Sequence, residues 1–137
     1  MISKIFITFL LIVPFCFNFQ GNEIGSFEYV ARGRGVFKQI IMRHDSTFIR
    51  DLDTENKILT NSETWVYLKE VVTQKDLEKL NLLESPTEKR FSDQALSAQL
   101  VIKTNNSEYI SSEFDHGYPP EEIKEIVEKI TSSFNSK

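Results

Sequence analysis

The sequence predicts an α+β fold in which an antiparallel sheet of four to five strands carries two helices packed on one face. Three observations lead to this prediction. Several short runs alternate apolar and polar residues, two segments repeat apolar residues at helical spacing, and the connections between them are short. The predicted order of elements is β-β-β-α-β-β-α, within a single domain over residues 21–137.

Three strands are expected before the first helix. Alternation over residues 27–32 predicts the first strand, and Gly33 and Gly35 then predict a turn or a bulge. Residues 36–43 and 47–53 are two runs rich in β-forming residues around a three-residue polar connection. That arrangement is typical of a β-hairpin.

The first helix is expected to follow a polar loop at residues 54–61. Thr60 and Glu63 have the spacing of a capping box, which predicts a helix start. Residues 62–73 then place apolar side chains at helical spacing, which predicts an amphipathic helix of about three turns. A second, shorter helical piece is expected to run through Leu80.

The second half of the chain should form a strand pair and a final helix. Residues 96–103 show the clearest period-two alternation, and Asn105 and Asn106 can adopt the positive φ angles of a tight turn. Residues 107–114 are expected to return as the partner strand. Pro120 suits the first position of a helix. The apolar face of that helix consists of Ile123, Ile126, Val127, Ile130 and Phe134.

Both helices should cover the same side of the sheet, with Trp65, Leu100 and Ile126 buried together where they meet it. A chain of about 117 residues is one domain by length and can bury a modest core. Cys16 is the only cysteine, and it lies in the segment expected to be removed. The mature chain should therefore contain no disulfide, and the apolar core must hold the fold by itself.

The first 20 residues resemble a secretory signal. Lys4 precedes an apolar run from Ile5 to Phe19, which matches the charged and apolar regions of such a signal. The run is shorter than the roughly 20 residues that a spanning helix needs, so a cleaved signal at 1–20 is favoured over a permanent anchor. We expect export to the periplasm or outside the cell. Acylation of Cys16 is the alternative, and the bulky Phe15 before it disfavours a lipid anchor.

The distribution of charge favours a protein or small-molecule partner over nucleic acid. The formal net charge is −4, whereas nucleic-acid binding needs a clustered basic surface. Arg32 and Arg34 end a strand with like parity, so their side chains can share a sheet face that Lys38 could approach across a turn. Lys89 and Arg90 could join them. These five cations predict a site for an anionic ligand or an acidic partner, against the alternative of ordinary solvated charge.

Asp115-His116-Gly117 is the sharpest local cluster of groups that could act in catalysis. Histidine titrates near neutral pH, and an adjacent acid could tune it, although adjacent residues on an extended chain point apart. The alternative is that these residues only shape a turn before the last helix. His44 and His116 lack the spacing of metal ligands, so neither a metal nor another cofactor is expected.

Three segments, RGRGVFKQI, SPTEKRFSDQA and SSEFDHGYPPEEIKEIV, carry a resemblance to a group of small exported bacterial proteins. That group shares an R-G-x-F-K-E-I-like strand, a P-T-x-K-R-like connection and an F-D-H-G-x-P-P helix start. The resemblance implies bacterial export and one compact domain, and it implies no activity. The matching positions are Arg34, Phe37, Lys38, Lys89, Arg90, Asp115, His116, Gly117 and Pro120.

Two classes of function follow from the sequence. The preferred hypothesis is an exported binding or interaction module without chemistry of its own, because no catalytic group is assembled by any recognisable motif. The alternative is a small envelope hydrolase that uses His116 with Asp115 or Asp93. The two differ in whether His116 lines a concave pocket beside another polar group that could act in catalysis.

Overall fold

The computed structural model describes residues 21–135, so the predicted signal at 1–20, with Cys16, lies outside the described residues. Seven strands form one antiparallel sheet, and two α-helices pack on one of its faces. The strands are β1 Ile24–Gly33, β2 Val36–Met42, β3 Ser46–Asp51, β4 Glu55–Leu59, β5 Ser97–Thr104, β6 Glu108–Ile110 and β7 Phe114–Asp115. The α-helices are α1 Ser62–Thr73 and α2 Glu121–Thr131, and short 3₁₀ helices span Leu77–Leu82, Lys89–Ser92 and Ser132–Asn135.

The sheet confirms the predicted α+β class and has more strands than expected. Its order is β4-β3-β2-β1-β5-β6, and β7 also pairs with β5. β1 occupies one edge of β5, while β6 and β7 pair with successive lengths of its other edge. The order of elements is therefore β-β-β-β-α-β-β-β-α rather than β-β-β-α-β-β-α.

The additional strand before α1 lies in the segment predicted to be a loop. β4 pairs with β3 in a register that sets Phe48 opposite Lys57 and Arg50 opposite Glu55. All five residues of β4 are exposed, because the strand lies at the edge of the sheet. Polar and charged residues are common on edge strands, where they discourage pairing with other chains. Because these residues break the alternation of apolar and polar side chains, the sequence pattern does not indicate a strand here.

The predicted returning strand at 107–114 is divided into β6 and β7. Between them the Ser111 N–H still donates to the Leu100 carbonyl of β5 at 2.9 Å, but the next N–H, of Ser112, donates to the Leu80 carbonyl at 3.1 Å. The Ser111 hydroxyl meanwhile accepts the Leu100 N–H at 3.0 Å. The predicted positive φ at Asn105 and Asn106 is wrong: the Thr104 hydroxyl stabilises this turn by accepting N–H groups that follow it.

Both α-helices lie close to where the sequence predicts them. α1 has the predicted bounds, but its N-cap is Asn61, whose side chain accepts the Thr64 N–H at 3.0 Å. Pro120 is the N-cap of α2, one place before the expected position. Within residues 21–135, no helix has the length and apolar character needed to cross a membrane.

The core lies between the two helices and the centre of the sheet. Trp65, Leu100 and Ile126 are buried there together, as predicted. Trp65 packs edge-on against Phe27 at 5.4 Å between ring centroids. The opposite face of β1, β2, β3 and β5 belongs to no part of this core, and we refer to it as the open face.

Candidate functional site

The segment Phe114–Gly117 begins with β7, which pairs with β5, and it leads toward α2 and contains the predicted histidine cluster. Phe114 pairs with Ala98 and is buried in the core. The next residue, Asp115, is also completely buried, whereas His116 is half-buried. Gly117 adopts φ 88°, a left-handed conformation that glycine accepts without strain. The segment therefore holds two adjacent polar side chains in different surroundings.

The Asp115 carboxylate binds the chain between residues 85 and 92. It accepts the Lys89 N–H at 2.6 Å and the Arg90 N–H at 3.0 Å, and the Thr87 hydroxyl donates to it as well. The Arg90 guanidinium completes the set with an ion pair at 3.1 Å. Every donor comes from the connection before β5, so this carboxylate fixes that connection against β7.

These contacts keep Asp115 ionised. Burial of the carboxyl opposes ionisation, but the hydrogen bonds from Thr87, Arg90 and Lys89 outweigh it and lower the pKa of Asp115 to about 2. The partner guanidinium also donates to the Ser85 hydroxyl and to the Thr87 carbonyl. A carboxylate whose oxygens already accept four donors is a structural anchor and a poor proton acceptor.

His116 bonds with a tyrosine on the central strand. Its Nδ1 lies 2.8 Å from the Tyr29 hydroxyl, and the Tyr29 side chain is completely buried. Burial raises the pKa of Tyr29, and burial together with the charge of Lys38 lowers the pKa of His116. Both groups are therefore neutral near pH 7. Because the phenol keeps its proton, it can donate to Nδ1, and in that tautomer the imidazole proton is on Nε2.

A cavity of about 290 Å³ lies beside this pair, and we refer to it as the His116 cavity. Lys38 lines it from β2, and its ammonium lies 5.8 Å from the centroid of the Phe134 ring. Glu128 and Thr131 line it from α2. The Thr131 hydroxyl donates to the Val127 carbonyl, as hydroxyls in helices commonly do.

The predicted catalytic pair is not assembled. Within residues 21–135, no hydrogen bond joins Asp115 or Asp93 to His116. Tyr29 bonds with Nδ1 of His116, and the Asp115 carboxylate accepts from Lys89 and Arg90 instead. Asp93 is exposed and ends a 3₁₀ helix at φ 56°. His116 does line a concave pocket beside other polar groups, which was the feature expected to separate an enzyme from a binding module.

The five cations predicted to form one binding site lie in separate places. Arg32 is on the open face, since it pairs with Phe37 and Ser97, and Arg34 is in the turn between β1 and β2. Lys38 pairs with Ala31 on the helix side of the sheet, so it does not approach Arg32. Arg90 is committed to Asp115, and the Lys89 ammonium lies 3.9 Å from the Tyr118 ring centroid.

Other cations surround an aromatic ring on the open face. The charged groups of Arg43, Arg50 and Lys57 lie 5.6, 5.9 and 5.4 Å from the centroid of the Phe48 ring. Arg50 also forms an ion pair with Glu55 on the neighbouring strand. These three cations and Phe48 are named the Phe48 cluster below.

Comparison with models of known families, with curated proteins and with solved structures found no match for this chain. The resemblance to small exported bacterial proteins and the expected export both stay predictions. Across the described part of the chain, no group of three potential metal-ligating side chains is present. His44, the other histidine, packs edge-on against Trp65 at 6.1 Å between ring centroids.

Two of the groups described here were not singled out from the sequence. Tyr29 is separated from His116 by 87 positions, and no local pattern connects them. The Phe48 cluster could have been found, because hairpin pairing places Ile41 opposite Phe48 and alternation then brings Arg43 to the same face. That step requires the register of the hairpin, which a three-residue connection alone does not fix.

Proposed function

We propose that the protein is an exported binding module whose open face docks an acidic segment of a partner protein. The Phe48 cluster is the observation that carries this proposal. Three cations lie within 6 Å of one half-buried aromatic ring on a face outside the core. Such a group offers a partner both a positive field and an apolar contact.

The charges on this face are only partly compensated by the protein itself. Arg50 has Glu55 as its partner, and Lys103 bonds Glu28 at 2.8 Å. Within residues 21–135, neither Arg43 nor Lys57 has an acidic group within 4.0 Å, and both are exposed. A local positive field in a protein of net charge −4 attracts acidic segments and repels basic ones.

The centre of the open face is apolar. Val30, Ile41 and Val101 are at most 9% exposed, although they are not part of the helix-covered core. Glu28 lies opposite Ile41 and Val101 in the sheet, and Gln99 lies opposite Val30. Long polar side chains such as these can cover apolar neighbours and can move aside when a partner binds. Ile110, opposite Val101, is 43% exposed and extends the apolar surface toward β6. The partner segment should therefore combine carboxylates with apolar side chains.

Hydrolysis by His116 with Asp115 or Asp93 has less support. A hydrolase of this kind needs an acid that orients the histidine, and Tyr29 holds that position. Thr131 is the one hydroxyl-bearing residue other than Tyr29 among those lining the His116 cavity, and its proton is bonded to a helix carbonyl. The arrangement suits recognition of a ligand better than activation of a nucleophile.

Three fluorescent peptides of equal length test the proposal, with leucine alternating with glutamate, lysine or serine. The glutamate peptide should bind, and added salt should weaken the binding because exposed charges are screened. Arg43→Glu with Lys57→Glu should abolish it. The control Lys79→Glu with Lys124→Glu makes the same change of charge on exposed residues elsewhere, outside the sheet, and should leave binding intact.

Two results would overturn the proposal. One is binding of the serine or lysine peptide as tightly as the glutamate peptide. The other is binding of the glutamate peptide by the Arg43 and Lys57 variant with unchanged affinity. Circular dichroism of each variant establishes that the fold is retained, which is expected because both side chains are exposed.

A further inference from the structure

A second hollow adjoins the His116 cavity on the same side of the sheet. This adjoining groove has a volume of about 450 Å³, and Lys38 and Phe134 line both spaces. Its walls include Ile49 and Ile58, which point to the helix side of β3 and β4. Ile58 is 38% exposed, because the edge of the sheet extends beyond the cover of α2.

We propose that these two adjoining spaces together bind an aliphatic monocarboxylate, with its carboxylate at Lys38 and His116 and its alkyl chain along Phe134, Ile49 and Ile58. The groove lies on the helix side of the sheet, but Arg50 and Lys57 of the Phe48 cluster also line it. The two proposals are distinguished by Lys38 and His116, which line this site and are not in the Phe48 cluster, and by Arg43, which is in that cluster and does not line this site.

The polar end of the site has one uncompensated cation. Asp51 lies opposite Lys38 in the sheet, but its carboxylate accepts the N–H groups of Asp53 and Thr54 in its own turn. In the described chain, no acidic oxygen lies within 4.0 Å of the Lys38 ammonium. Lys38 is exposed, so its charge can be reached by a ligand.

His116 supplies the second polar contact. Its Nδ1 bonds with the Tyr29 hydroxyl, and in the tautomer in which that hydroxyl donates, Nε2 carries the imidazole proton and can donate to a carboxylate. One cation and one neutral donor match the single negative charge of a carboxylate. Glu128 also lines the cavity, and its charge opposes an anionic ligand. Removing the charge of Glu128 should therefore strengthen the binding of the carboxylate.

The apolar part of the site requires a chain of several carbons. The half-buried Phe134 and Ile49, with Ile58, would lose contact with water when an alkyl chain covers them. Each added methylene that remains in the groove should tighten binding about threefold to fourfold. The gain should stop at the length where the chain leaves the groove.

Isothermal titration of the folded protein with butanoate, hexanoate, octanoate and decanoate, all below micelle formation, tests this site. Octanol and octylammonium serve as head-group controls. Octanoate should bind more tightly than either, and chemical shifts of the His116 imidazole should move with saturation. Lys38→Gln should weaken octanoate about tenfold or more, since a charge-assisted hydrogen bond is lost, while Lys124→Gln should have no effect. Glu128→Gln should strengthen binding, and Glu122→Gln should not.

Three results would overturn the inference. The first is the absence of saturable binding for all four acids. The second is binding of octanol or octylammonium at least as tight as that of octanoate. The third is an octanoate affinity that Lys38→Gln and Glu128→Gln leave unchanged. Lys38 and Glu128 are both exposed, so these variants are expected to fold, and thermal unfolding of each verifies this.

Discussion

Asp115→Asn should be among the most destabilising single changes in this protein. The substitution keeps the size of the side chain and removes its charge, so the Arg90 guanidinium, which is 13% exposed, loses its partner. Breaking a buried ion pair by removing one member costs about 3–5 kcal/mol. The lowered pKa gives a compatible figure. A shift from 3.8 to about 2 corresponds to about 2 kcal/mol at neutral pH.

Urea unfolding at pH 7 measures the loss, with Asp93→Asn as the matched control. Asparagine also tolerates the left-handed backbone of Asp93, so this control should change stability by less than about 0.5 kcal/mol. At about 4 °C per kcal/mol for a domain of this size, Asp115→Asn should lower the melting temperature by about 10 °C or more.

The pH dependence provides an independent check on Asp115. Its pKa in the folded protein lies below the value in the unfolded chain, so the unfolded chain binds the proton first. The stabilisation is therefore complete above about pH 5 and is lost as the pH falls toward 2. In the Asn variant this part of the acid dependence should be absent. A loss below about 1 kcal/mol at pH 7, or identical acid dependence of the two proteins, would refute the reasoning.

Three further predictions concern the core, the histidine and the N-terminus. Ile126→Ala empties a completely buried position and should cost about 2–5 kcal/mol in urea unfolding; a loss under about 0.5 kcal/mol would contradict the packing of α2 on the sheet. The lowered pKa of His116 means that the unfolded chain takes up its proton first, so stability should fall as the pH drops through about 6.5. His116→Gln should remove this pH dependence of stability. If the free energy of unfolding varied equally with pH in the two proteins between pH 5 and 8, the role given to His116 would be wrong. If the signal is cleaved, N-terminal sequencing of exported protein should begin between Phe19 and Glu23, whereas a cytoplasmic product that keeps Met1 would disprove export.

The elements best predicted from the sequence are those with strong periodicity. Residues 62–73 and the alternating run that became β5 were placed within a residue or two, because one face of each meets the core. β4 was missed, since a fully exposed edge strand needs no apolar side. The division between β6 and β7 was missed because it depends on Ser112 bonding to Leu80, a contact formed only in the folded chain.

The candidate site could be predicted only in part. His116 and Lys38 can be singled out from the sequence, and so can the fact that the adjacent Asp115 and His116 point apart. Their partners cannot, because the contacts that define their roles come from distant parts of the chain. Tyr29 bonds with His116, and the connection around Arg90 binds Asp115. Pairing of β1 with β5 creates this geometry, and local patterns carry no information about such pairing.

The central position of β1 has a consequence for the order in which the protein is made. Strands β1 to β4 are complete once residue 59 has been synthesised, but the second neighbour of β1 begins only at Ser97. During that interval one long edge of β1 has no strand partner from its own chain, and Tyr29 lacks its neighbours Phe114 and His116. Unpaired strand edges and exposed aromatic side chains are the features through which nascent chains associate with one another. A chain carried across a membrane from its N-terminus would meet the same delay, so residues 24–33 have to be kept away from other copies until residue 104 has emerged.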